Sequence, residues 1–192
     1  LIENVERVYI NGSGYSYVFN KHYGNFESII KGEKELLADF PRLSVWRAPT
    51  DNDRIIKKKW GYLNNDNWSG ENFNKQFSKV YSCEVCENKI TVCGALAGVS
   101  RSPFLKYTAV YSFFEGGEIE VSLSAAVRED LAVFLPRFGY EFTSPVINDS
   151  FIYYGMGPGE CYLDMNRHAA VGMFESCAEN EYGSQPCRRY AA

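Results

Sequence analysis

Several groupings in this sequence carry side chains capable of chemistry. Asp51-Asn52-Asp53 sets two carboxylates two residues apart, just beyond Pro49, and paired carboxylates are the usual means of general acid and base work. Glu160, Tyr162 and Asp164 follow the turn Gly157-Pro158-Gly159 and stand near His168, a set that could move protons. Trp46 beside Arg47, with Trp60 and Trp68 further on, could stack on a sugar ring. Cys83-Glu84-Val85-Cys86 has the spacing of a zinc knuckle, and Gly155, Gly157 and Gly159 alternate as glycines do around bound phosphates.

Each grouping also has a structural reading. Acidic residues two apart after a proline form Asx turns that hold a loop entrance, the reading preferred for Asp51 and Asp53, with a place on the rim of a pocket as the alternative. A tryptophan at a strand end is more often core, and a neighbouring arginine more often tethers a carboxylate. For Glu160, Tyr162 and Asp164 a loop-fixing hydrogen-bond network is preferred over catalysis. The cysteine pair lacks a second CxxC, and His22 and His168 are remote. Residues three apart on a strand face opposite ways, so no metal site is expected. No helical pattern follows the alternating glycines, so a phosphate cradle is not expected either; glycines in a strand permit a bulge or close backbone approach. His22, beside Tyr23-Gly24, reads as an exposed turn residue.

The elements that must position these groups alternate with period two. Leu105, Tyr107, Ala109, Tyr111 and Phe113 share one face, with Lys106, Thr108 and Ser112 opposite. Glu115-Gly116-Gly117 turns the chain, and Ile119, Val121, Leu123 and Ala125 return it as an antiparallel hairpin. Val5 to Ile10 meets Tyr15 to Phe19 across residues 11–14, and Val80 to Cys86 meets Lys89 to Ala97 across Glu87-Asn88. Further strands are expected over Asn25 to Ile30, Leu36-Leu37, Pro136 to Phe142, Phe151 to Tyr154 and Ala169 to Phe174. Residues 54–78 break the pattern and read as a long loop, with a short helix near Glu71 to Lys79. Short strands separated by frequent turn signals predict an all-β antiparallel sandwich or barrel.

Composition narrows the classes. The 192 residues suit one domain, 45% of them are hydrophobic, and Tyr and Phe number 14 and 13, the aromatic load of half-buried pleated surfaces. A net charge of −4 and a pI near 5.3 give no footprint for nucleic acid. Lys57-Lys58-Lys59 reads as a solvated face. No apolar run approaches the roughly 20 residues that span a bilayer. Six cysteines, at 83, 86, 93, 161, 177 and 187, are loosely spaced in a chain with core to spare, so reduced thiols in a cytoplasmic, bacterial protein are expected. The sequons at Asn11, Asn67 and Asn148 matter only on a eukaryotic secretory route. Opening on Leu1 without an initiator Met, the sequence is expected to be an excised or processed segment.

Three stretches carry a resemblance. Leu43-Ser44-Val45-Trp46-Arg47-Ala48-Pro49-Thr50-Asp51-Asn52-Asp53 resembles the W-R-A-P-x-D-N-D signature of the C-terminal small-chain domain of family 2 β-galactosidases. Leu135-Pro136-Arg137-Phe138-Gly139 is similar to that domain's L-P-R-x-G strand. Tyr154-Gly155-Met156-Gly157-Pro158-Gly159-Glu160-Cys161-Tyr162-Leu163-Asp164 is similar to its Y-x-G-x-G-P-x-E-x-Y-x-D segment. The order and separation also fit, as does the opening from Tyr15 through Lys34-Glu35-Leu36-Leu37. Two features depart from the pattern. The arginine expected soon after Asp164 is Arg167, and Glu179-Asn180-Glu181-Tyr182-Gly183 is an imperfect form of the family's E-N-x-G segment. Family members usually continue past the position of Ala192, so the domain, spanning residues 1–192, is expected to be incomplete at its C-terminal end.

The resemblance implies a supersandwich of the galactose mutarotase-like kind. It also implies a parent enzyme hydrolysing terminal β-D-galactosides with retention, which needs two carboxyl groups about 5 Å apart. In the family both are glutamates on a barrel upstream of this domain, where Mg and Na ions are mostly bound. No catalytic residue, metal or cofactor is therefore expected in this chain. Its partners would be that barrel, the galactoside through it, and copies of itself. Trp46, Arg47, Pro49, Arg137, Gly157, Pro158, Glu160, Tyr162 and Asp164 are expected to be structural, and Asp51, Asn52, Asp53 and Trp60 to be candidates for the active-site rim, with residues 54–68 as a mobile flap. Two rivals stand beside it: an aldose-1-epimerase-like enzyme of the same fold, in which His168 would have to serve, and a carbohydrate-binding module using Trp46, Trp60 and Trp68.

Overall fold

The structure, a computed structural model, describes residues 1–61, 70–131, 134–159, 161 and 166–178. The chain divides into two compact units, Leu1–Thr143 and Ser144–Ala192. In the first, β1 (Ile2–Glu3), β2 (Arg7–Gly12), β3 (Tyr15–Asn20), β4 (Asn25–Lys31) and β5 (Lys34–Glu35) form one antiparallel sheet in that order. β6 (Asp39–Ser44) leaves it. β7 (Gln76–Cys86), β8 (Lys89–Gly98), β9 (Leu105–Phe113) and β10 (Ile119–Val127) then make a four-stranded meander. β11 (Gly139–Thr143) returns to pair with β6. No helix of the described residues is long and apolar enough to cross a membrane.

Alternation decides which faces meet. On β9 the five residues expected to face inward are all buried. They oppose Val8 and Ile10 of β2, Tyr17 and Phe19 of β3 and Phe26 of β4 in one continuous core. Aromatic rings lock the two sheets together: Phe19 lies 5.0 Å and Phe26 5.5 Å from the Tyr111 ring, both edge to face. The Tyr17 hydroxyl donates to the Gly117 carbonyl at 2.5 Å, tying β3 to the β9–β10 turn. Each large apolar side chain so buried contributes about 1.5–3 kcal/mol.

Turn chemistry sets register. Glu87-Asn88 joins β7 to β8, with Glu87 at φ 51, a left-handed position that short hairpins require. β9 and β10 pair from Ile119 opposite Phe113 to Val127 opposite Leu105. The expected inner residues of β10 are less covered than their β9 partners: Val121 stays 42% exposed, Ala125 is exposed, and Ile119 and Leu123 are half-buried. β10 is an edge of its sheet, and Ile119 and Leu123 pack partly against the core.

Three expectations need correction. The helix expected near Glu71 to Lys79 is a single 3-10 turn, Phe73–Lys75, after which β7 begins at Gln76; burial of Phe73 against Phe104, rings 4.7 Å apart, makes this segment part of the core. The strand expected at Leu36-Leu37 gives way to β5 before it and β6 after it. β6, whose Pro41 interrupts any simple period, was not expected at all. The described part of the supposed flap, residues 54–61, contains a 3-10 turn at Ile56–Lys58 and then the buried Trp60 and Gly61.

In the second unit β12 (Ser150–Gly157) and β13 (Ala170–Cys177) form a two-stranded antiparallel ribbon, with Tyr153 opposite Phe174 and Gly157 opposite Ala170. A Cβ on Gly157 would come within 2.5 Å of the Tyr153 hydroxyl and 2.8 Å of the Phe174 ring. Only glycine lets those rings lie over the strand there.

Candidate functional site

The W-R-A-P-T-D-N-D stretch continues β6. Val45 is fully buried and its carbonyl accepts the Arg137 amide at 3.2 Å. The chain then extends to Thr50, at φ −89 and ψ 176, and winds into a 3-10 turn, Asp51–Asp53. Thr50 and Asp53 form a capping box: the Thr50 amide and hydroxyl donate to Asp53 Oδ2 at 2.7 and 2.9 Å, satisfying donors that a helix start leaves open.

Arg47 completes the cluster. Its NH1 donates to Asp53 Oδ2 at 2.6 Å and NH2 to Oδ1 at 3.3 Å, a two-pronged pair. Nε donates to the Pro136 carbonyl at 3.0 Å, and NH1 also to the Ala48 carbonyl at 3.1 Å. Its guanidinium carbon lies 5.4 Å from the Trp60 ring centroid. Trp60, 0% exposed, donates its indole N–H to the Phe134 carbonyl at 3.1 Å. A planar fork can satisfy these directions at once and an ammonium cannot. Two motifs far apart in sequence, W-R-A-P-x-D-N-D and L-P-R-x-G, are thus joined through the Arg47 guanidinium, and Trp60 ties the chain to Phe134 just before the second.

The electrostatics follow from this enclosure. Burial alone would raise the Asp53 carboxyl, but the Arg47 guanidinium and the two Thr50 donors outweigh it and hold the group below its ordinary value. At neutral pH Asp53 is a charged acceptor with its oxygens taken up. A general acid needs the opposite, a carboxyl kept protonated. Asp51 and Asn52 are exposed on the outside of the same turn. The structure therefore separates the three: Asp53 faces in, and the other two face water.

Trp60, expected at the rim, is instead buried, because its indole both packs in the core and reaches a carbonyl. Trp46 is half-buried against the core and lines a cavity. Pro49 is half-buried; Arg137, exposed, pairs its guanidinium with Glu141. Gly157 is buried in β12 and Pro158 exposed beyond it. Trp68, Glu160, Tyr162 and Asp164 lie outside the described residues. His22 is exposed in a turn, and His168 is exposed. Cys83 is half-buried and Cys86 exposed, and the five described cysteines are unbridged. Among the described residues no group of three His, Cys, Asp or Glu is arranged to hold a metal.

Two polar links had no sequence signal strong enough to find them. Gln76 joins β7 to β6, its amide donating to Ser44 Oγ at 2.9 Å and its carbonyl accepting from the Val45 amide at 3.3 Å. The Tyr111 and Tyr140 hydroxyls lie 3.1 Å apart. Burial, then the neighbouring Tyr140, pushes the Tyr111 phenol far above its ordinary value. A tyrosine at an inward position of an alternating strand must find such a partner, which was the available clue.

An antiparallel β-sandwich tied by an internal Arg–Asp–Trp cluster defines the architectural class. The sequence model of the β-galactosidase small chain matches residues 11–184. The chain belongs to the β-galactosidase small-chain family. A β-galactosidase of Actinobacillus pleuropneumoniae is 27% identical over 180 residues, 92% of this chain and 17% of that protein. One of Staphylococcus xylosus is 31% identical over 157 residues, 80% of this chain and 15% of that protein. One of Lactobacillus delbrueckii subsp. bulgaricus is 29% identical over 184 residues, 95% and 18% respectively. The chain thus spans less than a fifth of the length of these relatives.

Proposed function

We propose that this chain is the non-catalytic small-chain domain of a cytoplasmic, retaining β-galactosidase acting on terminal β-D-galactosides. On this reading its two units form one domain of the parent, since the family match runs without a break across residues 143 and 144. The domain packs on a catalytic barrel carrying the reactive carboxyl pair and the metal ions, and it buttresses the rim of the galactoside pocket. The observation that carries the reading is the Arg47–Asp53 pair: the buried signature carboxylate is held charged and its oxygens accept four hydrogen bonds inside the fold. Such a group braces a turn and is unsuited to donating a proton. Asp51 and Asn52, on the exposed side of that turn, are the residues of the triplet free to meet the barrel.

The test is a chimera in the Staphylococcus xylosus β-galactosidase. Its region matching this chain is deleted in one form and replaced by this chain in another. Hydrolysis of a chromogenic β-galactoside should be lost on deletion and recovered in the replacement. A deleted form that stays folded and fully active would overturn the buttressing role.

A further inference from the structure

We propose that Asn11 is a self-modifying residue: its carboxamide deamidates through a ring closed by the Gly12 amide, and the Ser16 hydroxyl promotes the closure. The site lies in the β2–β3 hairpin, within the first unit, and owes nothing to the role proposed above.

The reaction needs three parts, and the hairpin brings them together. The electrophile is the Asn11 side-chain carbonyl carbon, exposed near the end of β2. The nucleophile is the backbone nitrogen of the following residue. Gly12, also exposed, has no side chain to obstruct ring closure, and its backbone reaches angles that other residues avoid. No other asparagine in the sequence precedes a glycine. The third part is a donor aimed at the oxygen where charge builds. Asn11 stands directly opposite Ser16 across the ladder, a register that brings side chains on one face within reach of each other. The Ser16 hydroxyl donates to Asn11 Oδ1 at 2.8 Å. A donor already in place stabilises a developing oxyanion better than water that must first reorient. The same bond turns the NH2, the leaving group, away from Ser16.

The chemistry balances with water as the sole co-reactant. The Gly12 nitrogen gives its proton to water and bonds to the Asn11 side-chain carbon, forming a tetrahedral oxyanion under the Ser16 hydroxyl. Collapse of that oxyanion breaks the C–NH2 bond, and ammonia departs with a proton taken from water, leaving a five-membered succinimide. Water then adds to either ring carbonyl and opens the ring to Asp or to an isoaspartyl linkage. Either product replaces NH2 by a hydroxyl that ionises, so the hairpin gains a negative charge. The isoaspartyl form also routes the backbone through the side-chain carbon, lengthening β2 by a methylene just before the turn. That tip is where the Tyr15 ring lies over Gly12, so close that a Cβ there would come within 2.2 Å of it. The Tyr15 hydroxyl reaches the Phe114 carbonyl at 3.4 Å. The modification therefore loosens the link from β3 to the β9–β10 turn.

The test is peptide mapping by mass spectrometry of the 192-residue chain incubated at mildly alkaline pH, with an isoaspartyl methyltransferase marking the rearranged product. Asn11 should react before any other asparagine. Ser16→Ala should slow it about five-fold in the folded chain, the worth of one neutral hydrogen bond. Ser16→Thr, which keeps the hydroxyl, should react like wild type. Ser16→Val, the same shape without the hydroxyl, should be as slow as Ser16→Ala and replaces it should that variant fail to fold. In denaturant all four chains should react alike. Another asparagine reacting first, an unchanged or raised rate without the hydroxyl, a Ser16→Thr rate no better than Ser16→Val, or a difference that survives denaturant would overturn the proposal.

Discussion

Replacing Asp53 by Asn keeps the side-chain shape and removes its charge. In the native turn the carboxylate accepts two bonds from Arg47 and two from Thr50. The amide offers one accepting oxygen, and its NH2 must face a donor. Breaking a fully buried ion pair by removing one partner costs about 3–5 kcal/mol. Arg47's side chain is 33% exposed and Asp53's only 8%, so water recovers part of the loss on the arginine side. The expected cost of Asp53→Asn is about 2–3 kcal/mol, or roughly 5–10 °C in melting temperature for a chain of this size. The native carboxyl is held below its ordinary value, so its stabilisation is present above the unfolded-state pKa of about 3.9 and is lost as pH falls through the native value. Calorimetric melts of wild type and Asp53→Asn should therefore lie apart at neutral pH and converge on acidification. A difference under about 0.5 kcal/mol at pH 7, the size of an exposed pair, or one independent of pH, would refute the reasoning.

Other perturbations test neighbouring parts of the fold. Trp60→Ala should cost about 3–5 kcal/mol in denaturant unfolding, whereas Trp60→Phe, which forfeits mainly the bond to Phe134, should cost about 1–2 kcal/mol. Tyr111, raised by burial, should stay protonated in the folded chain while exposed tyrosines titrate, so alkaline difference spectra of Tyr111→Phe should match wild type until unfolding. Because the native value is the higher one, stability falls as pH rises above about 10, the unfolded-state tyrosine value, and Tyr111→Phe should lose less there. The chain should self-associate through the β10 edge, and Val121→Lys should shift light scattering toward monomer.

The sheets were legible because their residues alternate without ambiguity. Leu105 to Phe113 could take only one face inward, and Glu87-Asn88 could only turn. β6 was hidden because Pro41 and Arg42 spoil the period, and because its strand bonds go to β11, nearly a hundred residues on. Phe73 read as part of a short helix beside a loop, since nothing local shows that Phe104 waits for it. Of the site, Arg47 holding a carboxylate and Asp53 fixing a turn were readable from residue types and spacing. Trp60 was not. Set between lysines and glycine, it resembles a surface ring, and its burial depends on the Phe134 carbonyl and the Arg47 fork, both brought to it by tertiary structure.

The most direct measurement is hydrolysis of a chromogenic β-galactoside by the purified 192-residue chain alone, followed to the limit of detection. On the proposed reading the rate equals the buffer blank, because the buried signature carboxylate is a fixed charged acceptor and the reactive pair would lie on a barrel outside this chain. Turnover that survives repurification, and that a substitution within residues 1–192 abolishes, would contradict that claim.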